Sequence, residues 1–398
     1  MRFLPEGELA GLLAALSQEA EVWAPARRPN GVVEFQKWEP GTAVELAVLL
    51  ARQAPKEMVF PQTETYLGYR YLMACPAVRP ETPEEAKLEL EGEGGEVVAV
   101  SPSVSHQLLV VEDVGGSSPT RADVAGVELP GTGARVIFGL RPCDARGFAQ
   151  MDNVFGGYGG FYFDPYYNAR REVTTLVAVA CANPRSTCFC RAVGGSPSGT
   201  EAVDLLLTEV DGGFGAEAVS ERGQRILDYA GFREARAEEE QAVAAAHARA
   251  EEAVEAPFEL EGVRENLRAN FEDARWHDLA LRCISCGTCT YVCPSCYCFN
   301  INDEMVEGRG ERFRCWDNCF NPGYTLETSG HNPRDAKAAR FRNRFSHKFW
   351  YYPEKYDSLL CSGCGRCIMH CPTRIDIREV IRTMGAPAAE LPARAEEE

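Results

Sequence analysis

The chain reads as an α+β protein: an N-terminal α/β sheet domain followed by a mostly helical, cysteine-rich domain. Three observations predict this. Short β-branched runs broken by Gly and Pro fill roughly the first 215 residues, helix formers dominate after residue 217, and twelve of the 17 cysteines fall between Cys283 and Cys371. A length of 398 residues suits two or three domains. The expected boundaries are 1–216 for the sheet domain, 217–262 for a helical connector, 263–384 for the cysteine-rich domain and 385–398 for a tail.

Each element follows from local pattern. The first twenty residues carry Glu6, Glu8 and Glu19 through their apolar stretch and lack a small-residue cleavage site. They predict an amphipathic helix over 8–21 rather than a secretory signal. A second helix is expected over 42–52. Apolar runs at 97–100, 108–111, 135–140 and 173–180 predict strands, while 156–163 (GGYGGFYF) and 194–199 predict loops. The Ala/Glu-rich stretch 233–256 has strong helix propensity and stops before Pro257. Val263, Leu267, Phe271 and Ala274 then recur at helical spacing, as the core face of a helix that leads into the first cysteine motif. The segment 385–398, rich in Ala, Pro and Glu, predicts a frayed tail.

Composition excludes several functions. Lys and Arg number 41 against 59 Asp and Glu, a formal charge of −18, so neither nucleic acid nor an anionic membrane surface is the expected partner. No apolar run approaches the ~18 residues of a membrane helix, and no membrane insertion is expected. The cysteines are too sparse for a disulfide scaffold, odd in number and clustered, which points to metal ligation in a reducing cytoplasm.

Cys283, Cys286, Cys289 and Cys293, followed by Pro294, form one C-x2-C-x2-C-x3-C-P motif; Cys361, Cys364, Cys367 and Cys371, followed by Pro372, form another. This is the spacing of two-cluster [4Fe–4S] ferredoxins, in which three cysteines wrap one cubane and the fourth reaches the other. The expected ligand sets are therefore Cys283, Cys286, Cys289 and Cys371 for one cluster, and Cys361, Cys364, Cys367 and Cys293 for the second. The domain is thus read as a ferredoxin-like dicluster [4Fe–4S] domain. Structural zinc is the alternative, but zinc sites take four ligands, usually as two separated pairs.

A third candidate site lies upstream. Cys143 and Cys181 follow apolar runs, and Cys188 and Cys190 come soon after; α/β sheets gather ligand sites at the carboxyl ends of strands. These four could hold another cubane or zinc, or be buried thiols. The 67 residues 294–360 contain Cys296, Cys298, Cys315 and Cys319, read as packed thiols around the clusters or as a further metal site; spacing assigns no role to these or to Cys75. Arg334, Lys337, Arg340, Arg342, Arg344 and Lys348 accompany Phe341, Phe345 and Phe349 at i, i+4, i+8. A helix there would bury the aromatic edge and show its arginines elsewhere, as a solvated face, as compensation for anionic clusters, or as a dock for an acidic surface. His106, His247, His277, His331, His347 and His370 form no catalytic spacing, and no dinucleotide or P-loop motif stands in strand–turn–helix context.

Taken together, GLRPCDARG, DPYYNARRE, the 181–190 run, CISCGTCTYVCPSCYCFNINDE, GHNPR, HKFWYYPEKY and CSGCGRCIMHCP resemble the β-subunit family of soluble sulfhydrogenases. These are cytosolic, NAD(P)-linked [NiFe] hydrogenases whose family includes the A subunit of anaerobic sulfite reductase. The resemblance runs over about 60–381; the first 55 residues carry none of its motifs. It implies an electron-transfer subunit, not catalytic alone, that relays electrons between an FAD- and NAD(P)H-binding reductase subunit and the hydrogenase small and large subunits. The alternative it leaves is the same relay in a sulfite or sulfur reductase; a reductase in its own right and a zinc scaffold are the remaining readings. The resemblance also favours a third cluster at Cys143, Cys181, Cys188 and Cys190.

Overall fold

The computed structural model describes residues 1–47, 50–73, 96–98, 107–112, 133–158, 162–306 and 309–390. Cys75, His106 and positions 99–100 of the expected 97–100 strand lie outside the described residues. Contacts divide the chain into two compact units. One comprises Met1–Val59, Gly133–Tyr297 and Asn318–Glu398; the other comprises Phe60–Thr132 and Cys298–Asp317.

The larger unit is built on an eight-stranded sheet. In chain order its elements are β1 (Arg2–Pro5), α1 (Leu9–Glu19), β2 (Glu21–Arg27) and β3 (Val33–Lys37). From the second unit come β4 (Thr63–Met73), β5 (Glu96–Val98) and β6 (Gln107–Glu112). The larger unit resumes with β7 (Arg135–Leu140), α2 (Pro142–Phe155), α3 (Pro165–Glu172), β8 (Thr174–Val179), β9 (Leu205–Val210) and β10 (Gly213–Ala218). The strand order is β11-β1-β10-β9-β8-β7-β2-β3, where β11 is Arg233–Glu234. The central pairs β2–β7, β7–β8 and β8–β9 are parallel. Strands buried on both faces read as continuous apolar runs, and RVIFGL in β7 is buried at all six positions. Leu12, Leu13, Val136, Phe138, Val177, Val179 and Leu205 form the core beneath α1.

After the sheet come α4 (Glu221–Leu227), α5 (Ala237–Ala253), α6 (Val263–Ala269), α7 (Arg275–Ala280) and α8 (Thr288–Tyr291). The last helices of the larger unit are α9 (Lys337–Ser346), α10 (Tyr352–Tyr356), α11 (Arg366–Met369) and α12 (Ile377–Met384). The smaller unit is an antiparallel sheet ordered β12-β13-β4-β6-β5, with β12 at Phe299–Val306 and β13 at Arg309–Trp316. Its Arg314 is fully buried, ion-paired to Glu64, with its guanidinium 4.6 Å from the Phe60 ring centroid. Among the described residues no helix is long and apolar enough to cross a membrane.

Four expectations are corrected. The described part of 42–52 is not helical: the Glu45 amide donates to the Pro25 carbonyl (2.8 Å) and the Arg52 amide to Val33 (3.0 Å), so strand neighbours take the hydrogen bonds that a helix would need. The stretch 233–256 begins as a strand, Arg233 and Glu234 pairing with β1 before α5 starts. The stripe from Val263 to Ala274 is broken at Asn270, whose side chain bonds the carbonyls of Met384 and Ala386; Trp276, not Ala274, is buried beyond the break. Those bonds, with Asn266 on the Gly385 carbonyl, also hold the first residues of the expected tail.

Candidate metal centres

The two cysteine motifs share one backbone course. After the second cysteine of each, a glycine takes the left-handed conformation (Gly287 φ 71°, Gly365 φ 72°) and opens a one-turn helix, α8 or α11, that carries the third cysteine. Left-handed backbone suits glycine, and crowding adds to the demand: a Cβ on Gly365 would lie 2.4 Å from the Thr187 carbonyl oxygen. The residue before the second cysteine is also left-handed, Ser285 in one motif and Gly363 in the other.

Cys283, Cys286, Cys289 and Cys371 border one apolar cavity, which has Ile284, Phe341 and Phe345 in its wall and Cys367 at its margin. Backbone amides donate to its sulfurs: Ser285 to Cys283 Sγ (3.4 Å) and Ile375 to Cys371 Sγ (3.2 Å). Burial pushes the Cys371 thiol up, but bonds from Thr373 and the Ile375 amide outweigh it and hold the thiol below its ordinary value. Cys286 is exposed.

Cys293, Cys361 and Cys364 are buried and Cys367 half-buried. The four lie near enough that a charge on Cys293 acts on each of the other three. Cys293 itself is held well below an ordinary thiol, first by a hydrogen bond with Cys296 and then, against burial, by Lys348 and Arg344.

In the sheet, Pro142 opens α2 directly after β7, and Cys143 follows it; Cys181 follows the parallel neighbour β8. These carboxyl ends meet the 188–190 loop, and Cys143, Cys181, Cys188 and Cys190 border a second cavity together with Gly363 and Cys364. Burial pushes Cys181 to about 11 and Cys190 to about 12. The Phe189 amide donates to the Gly363 carbonyl (2.9 Å), and a Cβ on Gly363 would sit 2.4 Å from Cys190 Cα.

Iron–sulfur clusters fit these residues. Thiols that burial would keep neutral need a strong Lewis acid to become ligands, and the donor sets contain only sulfur. Among the described residues no three His, Cys, Asp or Glu side chains converge closely enough for a single ion. Two of the three sets instead surround cavities, as a cluster that brings its own sulfide requires. No histidine lines either cavity. Of the insertion cysteines, Cys296 and Cys319 belong to the larger unit and Cys298 and Cys315 to the smaller; Asn302 donates to Cys315 Sγ at 3.0 Å.

The basic stretch departs from expectation. Phe341, Phe345 and Phe349 are buried as predicted, but so are Arg340, Arg344 and Lys348. Arg344 donates to the Cys289 carbonyl (2.9 Å) and to Cys296 Sγ (3.6 Å), and Lys348 to Cys293 Sγ (3.5 Å). Sequence reasoning missed Arg366 and Asp144 altogether. Arg366 is fully buried inside the second motif and pairs with Asp144 at 2.5 Å. An arginine next to a ligand cysteine was the available signal; its partner 222 residues away carried none.

Comparison with known proteins agrees with this geometry. The 4Fe-4S dicluster domain family matches residues 282–375. Sulfhydrogenase 2 subunit beta of Pyrococcus furiosus is 31% identical over 268 residues, covering 64% of this chain and 75% of that one. The chain belongs to the sulfhydrogenase β-subunit family. Membership in that family and the dicluster domain make it an iron–sulfur electron-transfer subunit of hydrogenase type, with two [4Fe–4S] clusters. No solved structure matches this family member.

Proposed function

We propose that the chain holds three [4Fe–4S] clusters in series and relays electrons between a flavin- and NAD(P)H-binding subunit and a [NiFe] hydrogenase module. The first ligand set is Cys283, Cys286, Cys289 and Cys371; the second is Cys361, Cys364, Cys367 and Cys293; the third is Cys143, Cys181, Cys188 and Cys190. The observation that carries this reading is the sharing of walls. Cys367 borders the cavity of the first set and Cys364 that of the third, so the second set lies between them.

Each cluster would take and pass one electron. The residues of the chain supply spacing, sulfur hydrogen bonds and burial, the levers that set potential. Three of the four cysteines of the middle set are buried and the 188–190 loop bonds to its motif, whereas Cys286 leaves the first set open at the surface. The relative is by name a β subunit, which supports hydrogenase small and large subunits as partners of this chain.

The test is iron, acid-labile sulfide and zinc per chain on anaerobically purified protein. About twelve iron and twelve sulfide are expected. About eight of each would return Cys143, Cys181, Cys188 and Cys190 to structure, and zinc with little iron would overturn the relay. Nickel in the co-purified complex is expected; siroheme in its place would assign the relay to a sulfite reductase.

A further inference from the structure

Lys348 and Arg344 occupy successive turns of one helical stretch, α9 and the π-helical turn His347–Tyr351 that continues it. Lys348 is 2% and Arg344 4% exposed. The Lys348 ammonium donates to Leu360 O (2.7 Å), Ser295 Oγ (3.2 Å) and Cys293 Sγ (3.5 Å). Neither cation pairs with a carboxylate among the described residues. A buried charge without a counter-charge is costly, so a negative group must stand opposite these two. The thiolates and the cluster they would carry are the negative groups at hand. The first set shares Arg344, which stands in its cavity wall, but no lysine donates to its sulfurs among the described residues; they receive bonds from the backbone amides of Ser285 and Ile375, which carry no net charge.

We propose that Lys348, supported by Arg344, is a positioning and tuning residue that raises the reduction potential of the middle cluster, held by Cys361, Cys364, Cys367 and Cys293, relative to its neighbours. This rests on the ligand assignment above. Reduction adds one electron and therefore one negative charge at the cluster. A fixed ammonium 3.5 Å from a ligand sulfur favours that reduced state over the oxidised one. Arg344 donates to the Cys289 carbonyl of the first set, and its charge also acts on Cys293 and Cys367 of the second, so it serves both. The middle site becomes the step at which an electron rests.

The experiment is a potentiometric titration of full-length Lys348→Met and Lys348→Arg, followed by electron paramagnetic resonance, with iron counted in each. In loaded Lys348→Met, one midpoint is expected to fall by at least the equivalent of tenfold in the reduction constant, about 59 mV for one electron. The other midpoints hold, and Lys348→Arg restores most of the shift. A loaded Lys348→Met with every midpoint unchanged overturns the proposal. Should Lys348→Met lack one cluster's iron while Lys348→Arg is loaded with its midpoint intact, the requirement for charge stands. Loss of iron in both variants makes the residue a packing element and also overturns it. Failure of the ligand assignment reads differently: Cys361→Ala would then keep its full iron.

Discussion

The two cysteine motifs have the same spacing and nearly the same backbone, yet they live in opposite surroundings. The first faces out: Ile284 is 62% exposed, Cys286 is exposed, and position 285 is a serine in left-handed backbone with room for its side chain. The second is packed: at the matching positions Ser362, Gly363 and Cys364 are buried, and Gly363 touches the Cys190 backbone. Where the first has Thr288, the second has Arg366, fully buried and paired to Asp144 on α2. Spacing of cysteines builds a cluster loop; the residues between them decide whether that loop becomes a surface port or an internal junction.

The largest expected effect tests whether the motifs are crossed. Cys293→Ala should remove the cluster held mainly by the second motif, and Cys371→Ala the one held mainly by the first, each lowering iron by about four per chain. Spectra of the remaining clusters decide which was lost. If each substitution instead abolishes the cluster of its own motif, the ligand sets are uncrossed and the shared walls lose their meaning.

Next in size is the Arg366–Asp144 pair. Breaking a buried pair from one side leaves an unpaired charge and costs about 3–5 kcal/mol. Arg366→Met should therefore lower the melting temperature of anaerobic protein by many degrees, while Thr288→Val in the open motif should cost under about 1 kcal/mol. Equal losses would mean that the two motifs are not packed differently. Smaller still is the glycine contrast. Gly363→Ala forces a Cβ against Cys190, in a conformation that alone costs about 1–2 kcal/mol, and should weaken iron retention at the second and third sets. Ser285→Ala, left-handed already, should leave both iron and melting unchanged.

How much of this was legible in the sequence follows the range of the interaction. The ligand spacing is local, and so was the reading of two clusters. Cys143 and Cys181 could be paired because parallel strands end on the same side of a sheet, and β7 and β8 are adjacent parallel strands. The meeting of the 188–190 loop with Gly363 could not be foreseen, since nothing local in either segment names the other. The solvated-face reading of the basic stretch failed for a reason of helical geometry, while the buried Arg344 and Lys348 fit its reading as compensation for anionic clusters. Residues 340, 344 and 348 form the row beside 341, 345 and 349, so a wide buried face carries both rows inward. The β12–β13 pair went unseen because β12 is largely exposed and gives no alternation of burial.

The smallest effect concerns the residue two positions after the fourth cysteine, Ser295 in one motif and Thr373 in the other. Both hydroxyls stand near the preceding sulfur, at 3.3 and 3.5 Å. They are not equivalent, because a hydroxyl has one proton to give. Ser295 donates its proton to the Leu360 carbonyl (3.0 Å), while Lys348 serves both Ser295 and the Cys293 sulfur. Among the described residues the Thr373 hydroxyl makes no hydrogen bond to another acceptor, so its proton can serve the Cys371 sulfur. Thr373→Val should thus lower the first cluster's midpoint by less than about 59 mV, a factor under ten, with little change in melting. Ser295→Ala should do the reverse, costing about 1–2 kcal/mol of stability through a lost buried bond and leaving the second cluster's midpoint in place. A midpoint that moves in Ser295→Ala but not in Thr373→Val would show that the serine, rather than the lysine beside it, serves the Cys293 sulfur.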